Sequence, residues 1–138
     1  GIFTGKIINF LSKKKVKINI TAVYTAGQTK KILKVINKNS DVIISIFIGR
    51  ASDAGKDPLP ELIRSIKLSK KFKKVKILWA SVREPYNYLK AKKIGCHIIT
   101  VPPSIIEKIE SFGKSYNQLT LETVKTFLYD SKKSNFKI

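Results

Sequence analysis

Apolar residues in this chain fall into short, strand-like runs separated by longer stretches in which they recur every three or four positions. Runs at 16–23, 42–48, 75–80 and 97–101 predict four β-strands. The second is almost entirely β-branched, a composition that suits a pleated, buried surface. Helical periodicity predicts a helix over 2–13, with Phe3, Ile7, Phe10 and Leu11 as its apolar stripe, and another over 28–37, with Ile32, Leu33, Val35 and Ile36. Asp57 and Pro58 read as an N-cap and first-turn proline, opening a helix to about Phe72 that turns Leu59, Leu62, Ile63 and Ile66 inward. Glu84-Pro85 opens a further helix, with Gly95 as its C-cap. The stretch 49–56 reads as a polar loop. Pro102-Pro103 stops the fourth strand, Ser104 caps a short helix to Ile109, and a last amphipathic helix covers about 119–129. The polar end, 132–138, is expected to be a loosely held tail.

Strands alternating with helices at intervals of roughly 20–30 residues predict β/α units around a parallel sheet. The near-continuous apolar strands fit burial on both faces. No Gly-x-Gly-x-x-Gly and no phosphate-binding P-loop follows any strand, so dinucleotide and nucleoside-triphosphate folds lack their usual marker. Polar residues gather instead at the C-terminal ends of the strands, the rim where β/α barrels do their chemistry.

With 138 residues the chain is long enough for one domain with a real core, and 43% hydrophobic with 27% charged residues marks it as globular. No apolar run approaches the roughly 20 residues that span a bilayer, and 1–11 lacks the pattern of a secretory signal, so no membrane partner is expected. A single cysteine, Cys96, excludes an internal disulfide and fits a reducing, cytoplasmic setting. The chain begins at Gly1 rather than Met, and we expect sequence to have been lost upstream.

The formal net charge of +19 raises the question of a nucleic-acid or anionic-membrane partner. Of the 28 basic residues, however, only Arg50, Arg64 and Arg83 are arginine, the type that reads bases and phosphates bidentately. The lysines are scattered through every segment, with no aromatic-basic ridge and no zinc, RNP-like or helix-turn-helix signature. A lysine-rich composition bias explains the charge better than nucleic-acid binding does. A basic nucleic-acid-binding α/β domain remains only the third of three readings.

The strand ends carry the candidate chemistry. The first gives Asn19 and Thr21 within NITAVYTAGQ (19–28), and the second gives Ser45, Gly49 and Arg50 within SIFIGRASDAG (45–55). The third gives Ser81 and Arg83 within ILWASVREP (77–85), and the fourth gives Thr100 within GCHIITVPPSIIEKI (95–109). In order and spacing these segments resemble the fifth to eighth strands of the transaldolase and fructose-6-phosphate aldolase family: Asn-x-Thr, Ser-x-Phe-x-Gly-Arg, Ala-Ser-x-Arg and Thr-x-Pro. The resemblance covers essentially the whole chain, and four motifs in register are far more specific than any one alone. It implies the C-terminal half of a (β/α)₈ barrel, a single partial domain over 1–138, with four parallel strands, their helices and a C-terminal helix.

The resemblance also implies residue roles. Arg50 and Arg83 would clamp a substrate phosphate, with Ser81 donating a hydrogen bond. Asn19 and Ser45 would orient sugar hydroxyls or the lysine adduct, and Thr21 would hold a water that relays protons. The implied chemistry is class I aldol cleavage and transfer on sugar phosphates of the pentose phosphate pathway, without metal or other cofactor. Relatives with a C-terminal helix like this one form rings of subunits, which implies a homo-oligomer. Two of the three arginines sit just past strand ends, where planar recognition of a phosphate favours arginine over the abundant lysine.

Other residues read more plainly. His97 has no Cys, Asp or Glu neighbour at metal spacing and reads as a packed or capping histidine. Cys96 reads as a small buried hydrophobe, Asp53 as a residue that could line the site mouth but reads better as part of a solvated loop turn, Phe47 and Trp79 as core, and Tyr86 and Tyr88 as helix residues away from the rim.

The family's Schiff-base lysine lies on its fourth strand, in a V-x-V-K-x-P-like setting, and its proton-transferring aspartate lies on the first. The chain opens in what resembles the helix after the fourth strand, so neither is expected here. Lys17 stands at the wrong end of a strand to substitute. A full barrel needs about 250 residues, or at least roughly 200. Four parallel strands alone leave two edges and one face without partners. The chain therefore reads either as part of a longer enzyme, inactive by itself, or as a non-catalytic sugar-phosphate-binding half-barrel.

Overall fold

The computed structural model describes residues 2–134. Four strands, β1 (Ile18–Val23), β2 (Val42–Phe47), β3 (Val75–Ala80) and β4 (Ile98–Ile99), form one sheet in the order β1-β2-β3-β4, every pair parallel. Parallel neighbours need a crossover between them. Here α2 (Ala26–Val35) crosses from β1 to β2, α3 (Ile48–Asp53) and α4 (Leu59–Ser69) from β2 to β3, and α5 (Tyr86–Lys93) from β3 to β4. A first helix, α1 (Gly5–Lys13), precedes the sheet, and α6 (Pro103–Glu110) and α7 (Tyr116–Lys133) follow it. This is the α/β half-barrel that the sequence predicts, with its strands in sequential order and, among the described residues, no closed barrel. No helix among the described residues is long and apolar enough to cross a membrane.

The core lies between the sheet and its crossover helices. Val42, Ile44 and Ile46 of β2 and Val75, Ile77 and Trp79 of β3 pack with Ile32, Leu33, Leu62, Ile66 and Ala91 from the helices. These are alternate strand positions, so Asn19, Thr21, Ile43, Ser45, Phe47 and Leu78 lie on the other face of the sheet. Small polar contacts lock the helices together. Thr29 on α2 and Ser65 on α4 share a buried hydrogen bond of 2.9 Å. Glu61 on α4 accepts the Ala26 backbone N–H at 2.6 Å, which supplies a negative charge where α2 begins. That hydrogen bond, with Arg64 adding to it, holds the Glu61 carboxyl below its ordinary range.

Several sequence expectations shift. The inward face of α1 carries Gly5, Ile8 and Ser12, while Phe3, Ile7 and Phe10 face solvent. Periodicity offers two apolar stripes on this helix. Polar contacts to the end of α2 and the chain just after it choose between them: Asn9 Nδ2 donates to the Val35 carbonyl at 2.6 Å and Ser12 Oγ accepts the Asn37 N–H at 3.0 Å. Residues 48–53 are helix α3 rather than loop, because Ile48 turns into the core and begins a helical turn there. The start of α4 moves by one residue: Pro58 rather than Asp57 is its N-cap, and Asp57 just before it accepts the Leu59 N–H at 3.1 Å. Pro103 opens α6 instead of only ending a strand, consistent with the tolerance of a first helical turn for proline. β4 is two residues long rather than five, and α7 runs beyond the expected 119–129 at both ends. Of the expected tail, 132–133 belong to α7 and 135–138 lie outside the described residues.

Candidate functional site

The candidate residues lie on three neighbouring strands and the turns that follow them. Arg50, Ser81 and Arg83 stand past the C-terminal ends of β2 and β3, and Thr21 and Ser45 lie within β1 and β2. Asn19 stands near the start of β1, beside a hollow at the N-terminal end of the strands rather than at the rim. On the face away from the helices, Ser45 Oγ donates to Asn19 Oδ1 at 2.7 Å. Ser45 is 3% exposed and Asn19 is open to solvent, so a buried hydroxyl fixes the orientation of an accessible amide. With Oδ1 accepting from Ser45, the amide Nδ2–H₂ is left as a donor. Thr21 follows two residues later, exposed, where the β1–β2 register shifts and Ala22 adopts a left-handed φ of 58°. Such a shift bends a strand and re-aims its side chains.

Between β2 and β3 the packing is unusually close. A Cβ on Gly49 would lie 1.6 Å from the Ser81 carbonyl oxygen and 3.1 Å from Cγ of Arg83. Only glycine fits there, so the Gly-Arg dipeptide at the end of β2 seats α3 directly against the end of β3. Ser81 itself has a left-handed φ of 62°, sparsely populated for a residue with a side chain. β3 stops at Ala80, so strand alternation does not carry through Ser81 to Arg83. The two residues nevertheless line one shallow hollow together with Thr100 and Pro102.

Arg83 reaches across to α3. Its Nη2 donates to Asp53 Oδ2 at 2.7 Å, and its Nε donates to Oδ2 at 3.0 Å and Oδ1 at 3.2 Å. Those hydrogen bonds hold the Asp53 carboxyl below its ordinary range, with Arg50 adding a smaller Coulombic pull, and they raise the Arg83 pKa. Arg50 stacks over the Phe47 ring at 5.4 Å from its centroid, and that ring meets Tyr24 edge-on at 6.0 Å. Arg50 lines a hollow with Tyr24 and Glu61, whereas Arg83 lines the one with Ser81 and Thr100. The two arginines meet electrostatically at Asp53, three residues after Arg50 on the same helix and hence on nearly the same side.

Asp53 and Phe47 are where residue-by-residue reading fell short. Asp53 is solvated as expected but ends a helix and pairs with Arg83, and Phe47 is a half-buried platform for Arg50 rather than core. The spacing Arg50-x-x-Asp53 was a usable signal once 48–53 is seen to be helical. Trp79 is core, with its Nε1 buried and lacking a hydrogen-bond partner among the described residues. His97 Nδ1 accepts the Ile77 N–H at 3.0 Å, in keeping with a capping histidine. Partial burial, with nearby Lys76 adding to it, lowers the His97 pKa, and burial raises that of the half-buried Cys96 thiol. Lys17 lines a hollow with Asp41, Lys73 and Lys74 at the opposite, N-terminal end of the strands.

The profile of the Transaldolase/Fructose-6-phosphate aldolase family matches residues 3–138. The chain belongs to this family. It is 30% identical to a probable transaldolase of Thermoanaerobacter sp. (strain X514) over 134 residues, which is 96% of this chain and 58% of that protein. It is 33% identical to a probable transaldolase of Nitrosopumilus maritimus (strain SCM1) over 131 residues, 93% of this chain and 54% of that protein. A probable transaldolase of Methanococcus vannielii is 27% identical over 118 residues, 85% of this chain and 52% of that protein. The chain thus spans little more than half the length of the curated relatives it matches.

Proposed function

We propose that this chain supplies the sugar-phosphate-binding half of a transaldolase-type class I aldolase of the pentose phosphate pathway. The observation that carries this reading is the pair of arginines at the ends of adjacent strands, β2 and β3, whose charges meet at one carboxylate on the rim. A site that holds a carboxylate with a guanidinium fork is chemically suited to hold a phosphate oxygen pair. Arg50 and Arg83 bind the substrate phosphate, Ser81 adds a hydrogen bond from the shared hollow, and the oriented Asn19–Ser45 pair binds sugar hydroxyls or the lysine adduct. Thr21 holds the water that relays protons. The nucleophilic lysine comes from sequence outside these residues, so the chain alone forms no Schiff base. The enzyme works in the cytoplasm, a setting that the lone Cys96 favours, and assembles as a homo-oligomer.

The test is sugar-phosphate binding by the intact enzyme. Arg50→Ala and Arg83→Ala should each weaken it about tenfold or more, given the roughly 1.5–3 kcal/mol of a hydrogen bond to a charged group. Arg83→Lys keeps the charge but loses the planar fork and should also weaken binding. Unphosphorylated dihydroxyacetone should be largely spared by all three. Parental affinity for sugar phosphate in both alanine variants would overturn the assignment. A borohydride-trapped lysine adduct mapped anywhere within 1–138 would overturn the placement of the nucleophile.

A further inference from the structure

We infer that Asp53 is a positioning residue for the phosphate grip: it holds one edge of the Arg83 guanidinium so that the other edge stays presented at the rim. The inference rests on the phosphate-site reading above. A guanidinium carries five N–H donors in a rigid plane. Asp53 takes the edge formed by Nε and Nη2. The other hydrogen on Nη2 and one hydrogen on Nη1 form a second edge able to grip an anion bidentately, while the last Nη1 hydrogen points back towards Cδ. Carboxylate and phosphate therefore need not compete for the same donors.

The backbone fixes this arrangement. Gly49 lets α3 press against the Ser81 carbonyl and the stem of Arg83, and α3 then delivers Asp53 to the fork. The pair is a poor candidate for a stabilising device, because Arg83 and Asp53 are each about half exposed, at 50% and 51%. Exposed ion pairs contribute little to stability. What a bidentate partner does supply is orientation. Arginine has a long, flexible stem, and immobilising such a side chain opposes binding unless it is already held. Asp53 removes that cost before the phosphate arrives.

The sign of the effect makes the inference testable. Coulomb's law alone says that deleting a negative charge beside an anion site tightens anion binding. Positioning says that it weakens binding. Inorganic phosphate titrated into the full-length protein by calorimetry should bind about three- to tenfold more weakly to Asp53→Ala and Asp53→Asn, the scale expected for freeing one long side chain. Asp53→Glu should restore part of the loss. The Arg83 Nε–H resonance should be slow to exchange in the parent and in Asp53→Glu, and lost in Asp53→Ala. In an Arg83→Ala background, Asp53→Ala should no longer weaken binding. If Arg83→Ala weakens phosphate binding but Asp53→Ala leaves it unchanged or tightens it, the positioning role is overturned and the phosphate site stands. If Arg83→Ala itself has no effect, the phosphate site falls and the inference falls with it.

Discussion

The β2–β3 centre of the sheet and the C-terminal segment from Ser111 onward obey opposite rules. Along β2 and β3 six residue pairs are in register from Val42↔Val75 to Phe47↔Ala80, and alternate side chains disappear into the core. From Ser111 to Ser134 every residue is exposed, including Leu119, Leu121, Val124, Phe127 and Leu128 on α7. Both segments carry apolar patterns in the sequence. The centre is ordered by burial, whereas α7 is ordered by local bonds. Its N-terminus has a complete capping box, in which Ser115 Oγ accepts the Gln118 N–H at 3.3 Å and Gln118 Oε1 accepts the Ser115 N–H at 2.8 Å. An amphipathic pattern shows that a helix forms, but it does not say what covers its apolar side.

The contrast breaks first at Gly49. Gly49→Ala would drive a methyl into the Ser81 carbonyl, and the contact is with backbone, which cannot swing aside. We expect a loss of about 3 kcal/mol or more in urea unfolding, at the high end for a small-to-large change. A loss below about 1 kcal/mol would mean that β2 and β3 separate at the rim more easily than their packing indicates. Next, the two regions can be compared by the same kind of truncation. Ile77→Ala in the centre should cost about 2–5 kcal/mol by transfer and cavity formation. Leu121→Ala on α7 should stay within about 0.5 kcal/mol, since the side chain already faces water. Equal costs would place α7 against a surface beyond the described residues.

The smallest effect concerns the short β3–β4 edge. His97 accepts the Ile77 N–H through Nδ1, and it must be neutral there to do so. Its pKa in the folded chain is lowered, chiefly by burial, so the unfolded chain binds the proton more readily. This contribution to stability is fully present above the ordinary histidine pKa of about 6.5 and is lost as pH falls through the lower folded value. The urea midpoint of the parent should therefore drop between about pH 7.5 and 5.5, and drop less in His97→Gln. An identical pH dependence in the two proteins would remove His97 from the account.

The residue pattern picked out most members of the candidate site. Arg50, Ser81 and Arg83 were identifiable because arginine is scarce in a lysine-rich chain and because their motifs stand in register. Asn19 and Ser45 were identifiable individually. Their mutual hydrogen bond was not, because it depends on which residues two strands, 26 positions apart, bring side by side. Asp53 could be named as a neighbour of the site mouth but not paired with Arg83, because that pairing depends on a residue 30 positions away and on a helix too short to show a period.

The sequence by itself determined the β/α alternation, the parallel sheet with its strands in order and the chemistry available at the rim. Those properties follow from local periodicity and from residue types that short windows already contain. Tertiary structure alone decided which stripe of α1 turns inward, that 48–53 coils into a helix, and that Arg83 closes on Asp53. Each of these is settled by contacts between distant segments, such as Asn9 with Val35 or Gly49 with Ser81, whose energies depend on distances that no local pattern encodes.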